Sequence, residues 1–269
     1  MKHKLAAVLT TAAIASFSLI PLAVDSAIAE TSEKGHVLKP VFSVSYLPTY
    51  YKWNEPGVEE EGWIHELEVG LSLHPEWVPL KTELNFAIYG GEVDYDGYTW
   101  GGTSLSTNVN YNGWRAGLKV GYPLEGFPLE EVNLFPYAFI TYDTWHRSLD
   151  TTTSAIGYTE EWRTWFTGVG VKSEFLLPDG FSLYVDVAVN YSFGATNEVD
   201  LFDVEVDPEE DWGYRIEAGV KKDRVSISAF YERDEFDPSG AEYSGVVGGY
   251  VYQPDSVRKL AGFRIMIKF

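Results

Sequence analysis

The stretch FSLYVDVAVNYSF, residues 181–193, puts Phe181, Leu183, Val185, Val187, Val189, Tyr191 and Phe193 on one side of an extended chain. Ser182, Tyr184, Asp186, Ala188, Asn190 and Ser192 fall on the other. A strict apolar/polar alternation of this length commits the segment to a strand well beyond the five or six residues usual in soluble sheets. The same period of two runs through LKTELNFAI, WRAGLKVGY, WGYRIEAGVK, WRTWFTGVGVKSEF, VSISAFYE, HELEVGLSL, PVFSVSY and the C-terminal LAGFRIMIKF, while LFPYAFITYD is apolar on both faces at its start. Ten strands are expected, near 40–53, 63–74, 80–91, 105–122, 134–148, 161–177, 180–194, 211–221, 224–235 and 246–269. Asn112 and Gly113 read as a bulge in the fourth, and EYSGVVGGYVYQPD reads as strand or loop, so eight and twelve strands are alternatives. No segment has a helical period.

The connections alternate in kind. HPEWVPL, 123–133, LPDG and KKDR are mostly tight and carry Pro or Gly. The others, at 55–61, 91–104, 149–161, 195–211 and 234–245, hold 4, 3, 3, 8 and 4 acidic residues with no Lys or Arg. In an up-and-down sheet all five lie at one end, which becomes a dense anionic surface.

The N-terminus carries MKHK, an apolar stretch from Leu5 to Val24 and AIA before Glu30, the pattern of a secretory signal over residues 1–29. Residues 30–269 then form a single domain with 18 basic against 39 acidic residues, a balance that disfavours nucleic acid. There is no cysteine, which removes disulfide scaffolds, thiolate metal sites and cysteine catalysis.

A soluble ligand-binding barrel also alternates, with its apolar face inward. Two features argue for the inverse. The polar face carries Lys81, Arg115, Lys119, Lys172, Arg215, Lys221, Arg264 and Lys268 against Glu66, Glu68, Glu83, Asp143, Glu174, Asp186, Glu217 and Glu232, a balanced set suited to a closed interior. Gly70, Gly117, Gly168, Gly170, Gly219 and Gly262 share that face. Aromatics, 16% of the chain, gather toward strand ends (Tyr50, Tyr122, Trp162, Trp165, Phe181, Phe193, Trp212, Tyr231, Phe269), where interfacial girdles form. Lipid offers no hydrogen bonds, so a spanning sheet must close on itself. The expected fold is all-β, a transmembrane antiparallel up-and-down barrel of about ten strands.

The ending, Gly262 followed by Phe263, Ile265, Ile267 and Phe269 on one face, resembles the C-terminal insertion signal of Gram-negative outer-membrane β-barrel proteins. That resemblance implies an outer-membrane location, contact with outer-membrane lipid and lipopolysaccharide, recognition by the barrel assembly machinery, and a final strand that pairs with the first. A monomer is expected.

Catalytic signatures are sparse. His146 and Ser148 share one strand face, and Asp143 lies close in sequence, making these three the candidates for hydrolytic chemistry. Omptins, ten-stranded outer-membrane proteases, use paired aspartates and an Asp/His couple, but their Asp-His pattern is missing here. The HxSNG and HxSN contexts of outer-membrane lipid hydrolases are missing too. Asp94 and Asp96 in VDYDG, and Asp207, Glu209, Glu210 and Asp211 in EVDLFDVEVDPEEDW, are candidates for loosely bound Ca²⁺ or Mg²⁺, without the regular spacing of a dedicated calcium loop. The expected function is non-enzymatic: a structural or surface-interaction role, a cationic ligand at the loops, and at most a narrow cation-preferring pore. An outer-membrane hydrolase, protease-like or lipid-modifying, is the alternative.

Overall fold

The computed structural model describes residues 38–75, 78–99, 102–153 and 155–269; the signal segment lies outside them. Among the described residues thirteen strands follow in order: β1 Leu38–Glu55, β2 Val58–Pro75, β3 Lys81–Tyr98, β4 Ser104–Gly121, β5 Val132–Leu149, β6 Thr159–Leu176, β7 Phe181–Val199, β8 Val204–Val206, β9 Trp212–Lys222, β10 Val225–Phe236, β11 Glu242–Ser244, β12 Gly249–Val251 and β13 Ser256–Lys268. Ten of them, β1–β7, β9, β10 and β13, form one antiparallel ring: β13 pairs with β1 and β10, and β7 joins β6 to β9. Ring closure leaves no open sheet edge, the condition for a β structure to span lipid.

The wall is uneven in height. Strands β1–β6 have 18 residues each and β7 has 19, whereas β9, β10 and β13 have 11, 12 and 13. About 9–11 residues cross a bilayer, so the tall side rises well clear of the membrane. Side chains mark the boundary by reversing their pattern. Along β3, Leu84, Phe86 and Ile88 point outward and are exposed, while higher up the outward residues are Glu92, Asp94 and Asp96 and the buried inward ones are Val93 and Tyr95. Below the boundary the outer face meets lipid; above it the outer face meets water and the apolar side turns in. An aromatic chain sits at the crossover, with Phe86–Trp114, Trp114–Tyr142, Tyr142–Trp165 and Trp165–Phe193 centroids 5.9, 5.4, 4.8 and 6.3 Å apart.

Several details differ from the sequence expectation. The first outer connection is only the turn at Pro56–Gly57, because 58–61 belongs to β2. Register across Asn112 and Gly113 is unbroken; the irregularity lies where Arg163 pairs with Thr196 and Trp165 with Phe193. Gly194, at φ +58, supplies the left-handed residue there. Beyond it the phase of β7 flips, turning Ala195, Asn197 and Val199 inward, where they are buried. The last barrel strand starts at Ser256, and the segment before it folds as the separate β11–β12 hairpin. Phe263, Ile265, Ile267 and Phe269 face outward and are exposed, while Gly262 lies inside beneath the Phe230 ring.

Candidate functional site

The interior is layered, and the layers decide what the barrel can do. At the turn end lysines dominate. Lys81 pairs with Glu83, Lys221 with Glu174 at 2.8 Å, and Lys119 with Asp186 at 3.6 Å. The middle layer is arginine and carboxylate. Arg115 bonds Glu66 and approaches Glu232; Arg215 bridges Glu217 and Glu232, both at 2.9 Å; Arg264 reaches Glu68 at 2.7 Å. Arg258 joins Asp143 and Asp234, each at 2.9 Å. Tyr89 and Asn190 donate to these two aspartates, so the buried carboxylates have neutral partners as well as the cation.

Above this lies an aromatic layer. Trp53, Trp145, Trp162 and Phe236 are fully buried; the Trp145 and Trp162 rings stack at 5.4 Å, and Trp53 meets Trp162 edge-on at 5.1 Å. Trp162 therefore fills the lumen instead of joining the girdle. Threaded through the aromatics is Arg147, which donates to Glu60 and Glu160, with Tyr111 also donating to Glu60 and Trp162 to Glu160. Glu60, Glu160 and Asp234, all within or beside the acid-rich connections of the sequence, are thus buried interior groups.

Tight lumen packing depends on glycine opposite aromatic rings. A Cβ at Gly170 would lie 2.5 Å from the Tyr137 ring, and one at Gly168 would lie 2.7 Å from Phe139; both pairs are directly opposed on β5 and β6. This explains LFPYAFITYD: its inward aromatics cover the neighbouring strand's glycines.

The outer mouth is covered from the short side. Val199 at the end of β7 and Phe202 in the connection after it pack with Val251 of the β11–β12 hairpin. Ser244 donates to the Phe202 carbonyl at 2.6 Å. Gln253 reaches down, donating to Glu55 at 2.9 Å and accepting from Asn197 at 3.0 Å. The far side of this cap exposes Tyr243, Val246, Val247, Tyr250 and Tyr252, between 51% and 74%.

The catalytic candidates do not converge. Asp143 faces the lumen and is held by Arg258 and Tyr89, whereas His146 is three positions on and therefore on the outer face. His146 Nε2 lies 3.5 Å from Glu161, its cross-strand neighbour, and Ser148 Oγ is 3.1 Å from Thr159. Each is satisfied by a residue of β6, and the strand separates both from Asp143. Asp94 and Asp96 stand on the outward face of β3, the latter accepting from Ser106. Asp207, Glu209, Glu210 and Asp211 lie between β8 and β9, where Glu209 pairs through its backbone with Asp237. Among the described residues no three His, Asp or Glu side chains are grouped to hold a metal ion.

No family model and no curated relative matches this sequence. Among solved structures, the chain is similar to the outer membrane protease OmpT from Escherichia coli, at a TM-score of 0.53 and 8% identity, over 88% of this chain and 98% of that one. It also aligns with the translocator domain of autotransporter NalP from Neisseria meningitidis, at a TM-score of 0.45 and 11% identity over 97% and 98%. A major outer membrane protein from Thermus thermophilus aligns at a TM-score of 0.41 and 18% identity over 86% and 100%. At 8% identity the likeness to OmpT is one of fold. With a closed ring, an outward apolar belt below an aromatic girdle, and a charged interior, the chain has the architecture of a Gram-negative outer-membrane β-barrel.

Proposed function

We propose that the protein is a non-enzymatic outer-membrane barrel that acts at the cell surface through its capped outer end, and not by conducting solute through its interior. The observation that carries this reading is how the outer half spends its side chains. Inward groups are consumed by one another, in the Trp53–Trp145–Trp162–Phe236 cluster and the Arg147–Glu60–Glu160 bonds. By contrast, five large side chains, Tyr243, Val246, Val247, Tyr250 and Tyr252, are exposed on and beside one hairpin above the membrane, with the Tyr243 and Tyr250 rings meeting edge-on at 5.6 Å. Exposed apolar groups concentrated on one tip mark an interaction site, and the acidic surroundings favour a partner with an apolar patch rimmed by cations.

The sequence entertained a cation-preferring pore; the filled outer half favours a sealed lumen. Hydrolysis is not favoured either, since His146 and Asp143 face opposite ways. The test is adhesion of cells displaying the protein to an apolar surface such as polystyrene. The triple substitution Val246→Ser, Val247→Ser and Tyr250→Ser is expected to abolish the protein-dependent part of adhesion while the barrel still reaches the surface. Unchanged adhesion, or a protein-dependent peptidase or esterase activity lost on His146→Ala, would overturn the reading.

A further inference from the structure

The lower half of the lumen contains a cavity of about 230 Å³, lined among others by Ser43, Ser72, Lys119, Lys172, Asp186 and Lys268. Its whole lining holds seven Lys and Arg side chains against six Asp and Glu, and the surplus lies with the lysines at the turn end, which find too few partners. Lys172 is the cross-strand neighbour of Asp186, yet Asp186 accepts from Tyr137 at 2.6 Å and lies 3.6 Å from Lys119. Glu217 is taken by Arg215, Tyr184 and Ser228, and Glu83 by Lys81. Lys172 is left with its ammonium 4.0 Å above the Tyr184 ring and, among the described residues, no carboxylate in ion-pair range. Lys268, on the opposite wall, likewise has no ion pair among the described residues. Among the eight lumen cations assigned from the sequence, these two line the cavity without an ion pair of their own among the described residues. Beside Lys268, its cross-strand partner Ser43 and the nearby Ser72 carry hydroxyls bonded to no described group.

We propose that this cavity is a binding site for a small phosphate-type dianion entering from the turn end of the barrel. Two ammonium groups on opposite walls match two negative charges, and two free hydroxyls can donate to the remaining oxygens. The volume is nearly eight times the ~30 Å³ share of one water, enough for inorganic phosphate with part of its hydration or for a short phosphate monoester. Access follows the exposure gradient: the Lys81 and Lys221 side chains at the turn end are 28% and 34% exposed, against 4% for Arg258 deeper in. Solvent reaches the lysines from below and is excluded above, so the site is a blind vestibule. It does not depend on the role of the outer hairpin.

The experiment is calorimetric titration of the folded full-length protein in nonionic detergent with inorganic phosphate at low salt. Saturable binding near one phosphate per chain is expected, weakening as salt rises. Lys172→Gln and Lys268→Gln should each weaken it about tenfold or more, the loss of one charge-assisted bond. Lys221→Gln, at the same end but already paired with Glu174, should change it less than about twofold. Removing an unmatched buried charge should leave folding intact, which the unheated gel mobility checks. Absence of saturable binding by the unaltered protein, or equal affinity in the Lys172, Lys268 and Lys221 variants, would overturn the proposal.

Discussion

Replacing Arg258 with Met should be among the most damaging single changes in the barrel. Its guanidinium donates from Nε and one terminal nitrogen to Asp234, at 3.1 and 2.9 Å, and from the other to Asp143 at 2.9 Å. It also lies 4.7 Å from the Trp145 ring centroid and 5.5 Å from that of Phe166. Both aspartate side chains are 2% exposed. Methionine recovers part of the stacking but leaves two carboxylates in a closed interior with only Tyr89 and Asn190 as donors. Breaking a buried pair of this kind costs about 3–5 kcal/mol, against a total of roughly 5–15 kcal/mol for a typical domain.

The comparison that isolates burial is Arg163. It faces three carboxylates, Glu161, Glu198 and Glu205 at 2.8, 3.1 and 3.4 Å, but is 35% exposed on the outer rim. Arg163→Gln is expected to cost less than about 1 kcal/mol because water screens and replaces those contacts. The assay is urea unfolding of the refolded protein followed by tryptophan emission. Arg258→Met should lower the midpoint by about 1–2 M for a slope of about 2.5 kcal/mol/M. Adding Asp143→Asn and Asp234→Asn should recover most of the loss, since the stranded charges are then gone. Equal midpoints for the Arg258 and Arg163 single variants, or no recovery in the triple variant, would refute the assignment of a charged middle layer.

Two further outcomes follow. Gly170→Ala should destabilise the barrel by about 1–3 kcal/mol, because the new Cβ would meet the Tyr137 ring at 2.5 Å and the Val187 carbonyl at 2.8 Å; the same urea titration checks it. In the outer cap, desolvation raises the Asp237 carboxyl above its ordinary range, with Asp211, Asp255 and Glu209 repelling its charge. A carboxyl raised in the folded state favours that state when protonated, so the cap should loosen as pH rises through the folded value. Asp237→Asn should flatten this dependence, read as protease protection of residues 200–255 between pH 4 and 7.

Much of the wall was legible because lipid and water impose opposite demands on alternate residues. The inward set from Lys81 to Lys268 follows from parity, and ring closure from the lack of hydrogen-bond partners in lipid. Height does not. Segments such as GEVDYDG read as loop because their outward residues are acidic, yet they alternate in the reverse sense, with Val93 and Tyr95 inward. Recognising that reversal as the water line would have extended the tall strands and brought Glu60, Arg147 and Glu160 inside. Arg258 shared the parity of Gly262 and Arg264 and was within reach of the same argument. Trp162 was misplaced because an aromatic near a strand end is girdle only if it faces out. Which carboxylate each cation takes depends on height around the ring, which parity does not give, so a balanced count of eight and eight does not reveal that Lys172 and Lys268 lack ion pairs. Asp143 and His146, three apart on one strand, could have been separated by alternation alone.

On the proposed function, aromatic packing and the Arg147 network seal the outer half of the lumen. Reconstitution into a planar bilayer, with single-channel recording in concentrated salt, tests it most directly. No resolved openings are expected from the intact protein, and openings only when the seal is thinned, as in Trp53→Ala with Trp162→Ala. Steady, ion-selective conductance from the unaltered barrel would contradict it.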